Sequence, residues 1–412
     1  MTTQLTLLNR AGAAIGSDTL TTLTSGNGES KTIPNSHKIF DLGDKHSLIV
    51  LNSDSGTING IPTIALVSQW SRTLTEPLDQ LEEYKYSFLS WLADQEDDDD
   101  FRMTQSISAF VADLIADNVN AIAGHFNGLR PWYDETQNLI NSDPAFARKF
   151  KAAVGKQVGE FMKWVEEFIT PVEEELTDTR ITMEKVGLDR ILEAWLPLNT
   201  CSVITRNKLK TALILLYRYH GYYKHNECEL GFVGYGEKDI YPSVVSIVIE
   251  MFGFGTVRWK NTYRNDPNRQ NNTVLKTWAQ ANEIDNFIYG FHSDFLQSLK
   301  MGVRNAVVQN HRESLETPDA IEPDTLALWD SLGDDVYLKL EDHIERFKNE
   351  HHQNFLTTLN FMDVEELATA TDTLINIQIL STLNQMDIPT TGGLIELATI
   401  DRKNGVRWIR KL

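Results

Sequence analysis

Three residues near the start of the chain, Thr2, Asp18 and Lys38, are of the types that could form a hydrolytic centre. We expect Met1 to be removed because the next side chain is small, and Thr2 would then carry a free α-amine beside its hydroxyl. A threonine hydroxyl is a weak nucleophile that needs a base within hydrogen-bond reach, and an α-amine with a pKa of about 8 can fill that role. Lys38 is the candidate cation that would lower the local pKa values, and Asp18 is the candidate carboxylate that would orient it.

The lysine has two competitors, because Lys31 and Lys45 lie nearby in the sequence. Lys38 is preferred since two apolar residues follow it, and their burial would draw its ammonium toward the interior. In the alternative, the N-terminus is disordered, the aspartate forms a turn and the lysine lies on the surface.

Composition excludes several classes of function. The 412 residues include 58 acidic and 38 basic side chains, a formal net charge of -20, which argues against a nucleic-acid-binding surface. Only two cysteines occur, Cys201 and Cys228, and both are expected to be buried thiols in a reduced, cytoplasmic protein. The sequence has neither a secretion signal nor a run of 18 apolar residues, so we expect no membrane association.

The sequence patterns predict strands, helices, strands, helices and strands in that order. Residues 1–76 begin with short β-compatible runs, residues 77–226 show helical spacing of apolar side chains, and residues 227–412 mix both patterns. The polar turn at 52–56 follows a strand and precedes a helix expected over 58–74. Backbone N–H groups at such a turn could hold an oxyanion.

Neither a metal nor a cofactor is expected. His351 and His352 are adjacent and would point in different directions on a helix, and no His-Glu-x-x-His pattern occurs. Gly231, Gly234 and Gly236 fall short of a dinucleotide-binding fingerprint and are more typical of turns or close strand packing.

The N-terminal stretch resembles the start of a proteasome β-subunit and of its bacterial relatives, the N-terminal-nucleophile (Ntn) hydrolases. Thr2 matches the processed threonine, the segment around Asp18 matches the Ala-Asp-Ser signature at the same distance, and the segment around Lys38 matches the lysine motif after a short insertion. Residues 52–56 match the oxyanion turn, 232–239 a strand and turn of the second sheet, and 394–409 the terminal hairpin. The likeness covers about half of the chain and is closer to long bacterial members than to the proteasome itself.

The resemblance implies a four-layer αββα sandwich of two antiparallel sheets, an α+β fold. Residues 1–76 and 227–412 would form its two halves, the second with extra helices, and 77–226 would be a large helical insertion. Thr2 would be the nucleophile, Lys38 held by Asp18 would keep the site electropositive, and a backbone N–H among Ser53, Asp54 and Ser55 would stabilise the oxyanion. Gln280 and Asp285 lie in the region expected to support the threonine from the second half.

The activity implied is that of a threonine peptidase or amidase acting on a peptide or other amide. The family's habit of forming rings implies a homo-oligomer, and an unfoldase partner, if there is one, is not identified by the sequence. The alternative is a catalytically inactive protein of the same fold, whose helical insertion serves assembly or partner binding.

Overall fold

The computed structural model describes residues 2–24, 30–95, 104–105, 108–109, 111–116, 123–124, 126–169, 187–218, 227–253, 255–268, 272–290, 293–313, 323–383 and 390–412. Within these ranges the chain forms strands, helices, strands, helices and a final pair of strands. The expected α+β class and the expected order of elements are therefore confirmed.

The described strands are β1 (Thr3–Asn9), β2 (Gly12–Asp18), β3 (Thr21–Thr24), β4 (Ser30–Ile33), β5 (Ile39–Asp41), β6 (Leu48–Asp54), β7 (Thr57–Ile58), β8 (Ile61–Pro62), β9 (Cys228–Gly234), β10 (Ser243–Gly253), β11 (Thr256–Asn265), β12 (Thr273–Ala279), β13 (Ile395–Asp401) and β14 (Gly405–Arg410). The described helices are α1 (Thr63–Ser71), α2 (Leu81–Ala93), α3 (Asp134–Ser142), α4 (Pro144–Ile169), α5 (Leu188–Trp195), α6 (Val203–Arg218), α7 (Asn282–Tyr289), α8 (Ser293–Glu313), α9 (Pro323–Asn360) and α10 (Val364–Leu383).

Ten of these strands form two five-stranded sheets in which every neighbouring pair is antiparallel. The first sheet has the order β12-β1-β2-β13-β14, and the second has the order β11-β10-β9-β6-β5. The strands β3 and β4 form a small hairpin, as do β7 and β8. The strands β1 and β2 form a hairpin that brings the first 18 residues together.

The two sheets face each other across one apolar cluster, because alternate side chains of a strand point to opposite faces. Leu8 of β1 and Leu51 of β6 both lie in this cluster. On the other faces, Leu7 packs with the helices α7, α9 and α10, and Val50 packs with α1 and α2. Each sheet is therefore covered by helices on its outer face.

The sheets come into close contact where Gly231 of β9 meets Trp278 of β12. A Cβ atom at position 231 would lie 2.3 Å from the indole ring, so only glycine fits there. The buried indole donates from Nε1 to Oγ1 of Thr6, 3.2 Å away, which fixes the ring over the glycine. The expectation of close strand packing at Gly231 is thus confirmed.

Two segments differ from the sequence-based expectation. Residues 273–279 were not predicted as a strand, yet they form β12 and pair with β1 from Thr3↔Ala279 to Asn9↔Thr273. The helix expected over 58–74 begins only at Thr63, because Asn59 and Gly60 adopt positive φ angles of 52° and 75° and close the β7–β8 hairpin.

The helices of the 77–226 region divide into two groups. The first of them, α2, packs on the second sheet, whereas α4, α5 and α6 share a separate apolar cluster that also includes Met251 of β10. Beside this cluster, Nε of the buried Arg258 lies 3.0 Å from Oε2 of the buried Glu250. Burial raises the pKa of Glu250 to about 7, although Arg258 opposes that rise. None of the described helices is long and apolar enough to cross a membrane.

Candidate active site

Thr2 lies immediately before β1 and is held in place by the strand that the sequence did not predict. The backbone N–H of Gln280, one residue after β12, donates to the carbonyl of Thr2 at 2.9 Å. The hydroxyl of Thr3 donates back to the carbonyl of Gln280, also at 2.9 Å. Because β12 pairs with β1 along its whole length, these bonds fix the position of Thr2 at the end of the first sheet.

Asp18 ends β2, next to Ser17, which pairs with Gln4 of β1, and its side chain is fully buried. Its Oδ1 accepts hydrogen bonds from the hydroxyl of Thr2 at 2.6 Å and from the backbone N–H of Thr3 at 3.0 Å. Its Oδ2 accepts from the backbone N–H of Gly392 at 2.9 Å. Two backbone donors therefore hold a buried carboxylate in one orientation beside Thr2.

Lys38 comes from the second sheet, just before β5, and its side chain is only 8% exposed. Its carbonyl accepts the backbone N–H of Asn52 in β6 at 2.9 Å, which ties the lysine to the sheet. The ammonium donates to Oδ1 of Asp18 at 2.8 Å, to the carbonyl of Leu20 at 2.7 Å and to the hydroxyl of Thr2. The structure thus brings Thr2, Asp18 and Lys38 into direct contact.

The charge state of Lys38 depends on the carboxylates around it. Burial lowers the pKa of its ammonium from the ordinary value of 10.5, while Asp18 and the more distant Glu396 raise it. Glu396 lies on β13 opposite Ser17 and is 1% exposed, and its Oε1 lies 2.7 Å from Nδ1 of His37. Two buried carboxylates therefore oppose the loss of the proton from Lys38.

The sequence predicts a polar turn at 52–56. In the structure Ser53 and Asp54 still belong to β6, so the turn begins after Asp54. The N–H of Asn52 points away from β9, toward Lys38, and alternate residues of a strand point their backbone groups to the same side. The N–H of Asp54 therefore points toward the Lys38 side as well. The N–H of Ser55 donates to the carbonyl of Glu227 at 3.1 Å and is already used.

A pocket of about 710 Å³ opens beside these residues. Its lining includes Thr2 and Lys38, the end of β6 and the loop after it, and the residues that follow β12. Two lining residues that are not glycine adopt positive φ angles, 62° at Asp54 and 56° at Ala279. Such backbone strain, typically about 1–2 kcal/mol per residue, is concentrated at functional sites.

The two residues expected to support the threonine from the second half of the chain differ in position. Gln280 contacts Thr2 through its backbone and lines the pocket, and its side-chain Oε1 accepts from the hydroxyl of Thr390 at 2.6 Å. Asp285 lies on α7, does not line this pocket, and has its pKa raised by burial.

Three contributors to the site were not identified from the sequence: Leu20, Gly392 and Glu396. Leu20 and Gly392 act only through backbone groups, for which the identity of a side chain gives no signal. Glu396 does carry a signal, because it is a lone carboxylate within the apolar run 394–400.

The described residues contain no group of three or more His, Cys, Asp or Glu side chains that could hold a metal ion. Comparisons of the chain with protein-family models and with curated proteins find no match. A functional assignment therefore depends on the geometry of the site.

Proposed function

We propose that the protein is a threonine-type Ntn hydrolase, a peptidase or amidase, whose nucleophile is the hydroxyl of Thr2 after removal of Met1. The observation that carries this proposal is the direct contact among a hydroxyl, a buried ammonium and a buried carboxylate that lie 16 to 36 residues apart. Met1 itself lies outside the described residues.

The fold is consistent with the same proposal. The two facing antiparallel sheets and the helices on their outer faces would correspond to the αββα sandwich of Ntn hydrolases, with Thr2 at one end between the sheets. Of the predicted insertion 77–226, the helices α4, α5 and α6 would form the part that stands apart from the sandwich, since they have an apolar cluster of their own.

The first half of the reaction would form an ester on Thr2. Its Oγ attacks the carbonyl carbon of an amide, and the hydroxyl proton passes to the α-amine of the same residue, directly or through a water molecule. The charge of Lys38 favours the developing alkoxide, and the N–H of Asp54 donates to the oxyanion, an interaction commonly worth about 3–4 kcal/mol. The C–N bond then breaks, and the leaving amine takes the proton from the α-ammonium.

The second half would regenerate the enzyme. The α-amine takes a proton from a water molecule, and the water oxygen attacks the ester carbonyl carbon. This forms a second tetrahedral oxyanion, which the same backbone N–H stabilises. The bond from carbon to Oγ breaks, the product leaves as a carboxylic acid, and Oγ of Thr2 recovers its proton from the α-ammonium. The reaction therefore consumes one water and one amide bond and needs no cofactor.

The test compares Thr2→Ala with Thr2→Ser on a panel of fluorogenic peptide amides. The wild-type chain and the serine variant, which keeps a hydroxyl, should hydrolyse at least one substrate, and the alanine variant should hydrolyse none. Thr357→Ala, on the exposed surface of α9, is the matched control because it removes a hydroxyl far in sequence from the site. Equal hydrolysis by the Thr2→Ala variant would contradict the proposal.

One observation favours the second candidate, an inactive protein of the same fold. The hydroxyl of Thr2 already donates to Asp18, and Thr2 is only 6% exposed, as for a structural threonine. In that case a threonine-directed epoxyketone would leave the chain unlabelled, and Thr2→Ala would change the stability alone.

The resemblance to ring-forming proteins also leads us to propose a homo-oligomer. The mass of the native assembly in solution tests this directly. A mass equal to that of one chain would exclude it.

A further inference from the structure

Glu396 is a buried carboxylate in the space between the two sheets. Ala398 and Ile400 of β13 lie in the apolar cluster that the sheets share, and alternate side chains of a strand point to the same face, so Glu396 points inward as well. Its neighbour across the strands is Ser17, whose hydroxyl donates to the carbonyl of Asp18 at 2.9 Å. The first sheet therefore places a second carboxylate in the interior, one residue along the strands from Asp18.

This carboxylate is held through one oxygen only. Oε1 of Glu396 lies 2.7 Å from Nδ1 of His37, whose side chain is 42% exposed, whereas Oε2 is buried and accepts no hydrogen bond from any described residue. A buried carboxylate is unfavourable unless positive charge or hydrogen bonds compensate it. Because His37 directly precedes Lys38, the contact that holds the carboxylate also keeps it within electrostatic reach of the Lys38 ammonium.

The interaction between Glu396 and Lys38 acts through space. An ammonium has three N–H donors, and those of Lys38 go to Asp18, to the carbonyl of Leu20 and to the hydroxyl of Thr2. In the interior of a protein the low dielectric strengthens the attraction between opposite charges that do not touch. Burial lowers the pKa of Lys38, and the charges of Asp18 and Glu396 oppose that lowering.

We infer that Glu396 is a positioning residue of the proposed hydrolase, and that its buried charge keeps Lys38 protonated and so sets the upper end of the pH range of hydrolysis. The inference rests on the proposed function and adds to it a group that acts on the centre without contacting the substrate. Neither Glu396 nor His37 is among the described residues that line the pocket beside Thr2.

The test is the pH profile of kcat/KM for Glu396→Gln, which removes the charge but keeps an amide of nearly the same shape that can still hydrogen-bond to His37. The rate should fall at high pH as Lys38 loses the proton whose charge favours the alkoxide. In the variant this fall should occur at a pH lower by roughly 0.5–1 unit, less than the 1–3 units typical of a charge in direct contact. At a fixed pH within the fall, the rate should be about 3- to 10-fold lower than in the wild type.

Two control variants separate the charge from the shape of the side chain. Glu396→Asp keeps the charge, so the fall at high pH should stay near its wild-type position even if the rate is lower at every pH. Glu350→Gln removes one carboxylate at an exposed position of α9 and should leave the whole profile unchanged. Thermal unfolding shows whether each variant remains folded.

A second readout needs no substrate. In protein labelled with ¹³C-lysine, the Cε resonance of Lys38 is assigned by its absence in Lys38→Met, and its pH titration gives the pKa of this ammonium directly. We expect that pKa to be lower in Glu396→Gln than in the wild type, by the same amount as the shift of the rate profile.

The outcomes distinguish this inference from the function on which it rests. Hydrolysis that requires Thr2 but has the same pH profile in Glu396→Gln, or a rate lowered equally at every pH, would overturn the inference and leave the hydrolase standing. An unchanged Lys38 titration in Glu396→Gln would also overturn it, whatever the activity. Hydrolysis unaffected by Thr2→Ala would overturn both.

Discussion

The contact between Asp18 and Lys38 predicts a large energetic coupling between two residues that are 20 positions apart. Asp18→Asn and Lys38→Met each remove one charge from a buried pair while keeping a similar side-chain size. The free energies of unfolding of the two single variants and of the double variant, from urea denaturation, complete a double-mutant cycle.

The magnitude follows from the burial of the pair. Removing one partner of a buried ion pair typically destabilises a protein by about 3–5 kcal/mol, because the other charge remains buried. The loss for Lys38→Met should lie near 3 kcal/mol, since Asp18 keeps three donors: the N–H groups of Thr3 and Gly392 and the hydroxyl of Thr2. The double variant has no unpaired charge, so it should be less destabilised than the sum of the singles by about 2–3 kcal/mol.

A surface pair provides the control. Lys163 and Glu167 lie one helical turn apart on α4, with Nζ and Oε1 separated by 3.6 Å and both side chains largely exposed. Such pairs couple by only about 0.3–0.5 kcal/mol. A coupling between Asp18 and Lys38 no larger than that of the surface pair would refute the account of a buried, mutually dependent centre.

Two further predictions concern the fold. Gly231→Ala should destabilise the protein by about 1–3 kcal/mol in thermal unfolding, because the added Cβ would lie 2.3 Å from the Trp278 indole. Gly159→Ala is the control: this glycine lies in α4 with open space around it, so the substitution should stabilise the protein by about 0.5–1 kcal/mol. Equal effects at the two positions would contradict the close contact of the sheets. Because the pKa of Glu250 is about 7 in the folded state, against an ordinary value of 4.5, the folded state holds a proton that the unfolded chain releases. The stabilisation is complete below pH 4.5 and is lost as the pH rises through about 7. Glu250→Gln should therefore flatten this fall of about 3 kcal/mol, and an unchanged pH profile would contradict it.

Local signals in the sequence were sufficient for the centre itself. The resemblance of the segments around Thr2, Asp18 and Lys38 to the Ntn motifs, with the apolar residues after Lys38, indicated three groups that the structure brings together. The terminal hairpin was equally predictable, because the polar loop 401–405 separates two β-rich runs that form β13 and β14.

Longer-range partners could not be predicted in the same way. The strand β12 owes its stability to pairing with β1 about 270 residues earlier and to the burial of Trp278, neither of which its short sequence reveals. The hydrogen bond from the N–H of Gly392 to the carboxylate of Asp18 joins residues that are 374 positions apart. The predicted start of the helix after β6 was wrong for a local reason instead, because the Asn59-Gly60 turn interrupts the helical pattern.

The central claim, that Thr2 is an N-terminal nucleophile, is tested most directly by intact mass spectrometry of the purified protein before and after treatment with an epoxyketone or β-lactone. The account predicts a starting mass lower than that of the full chain by one methionine, and then the addition of one probe per chain on Thr2, with no addition to the Thr2→Ala variant. A chain that retains Met1, or a probe found on any other residue, would contradict it.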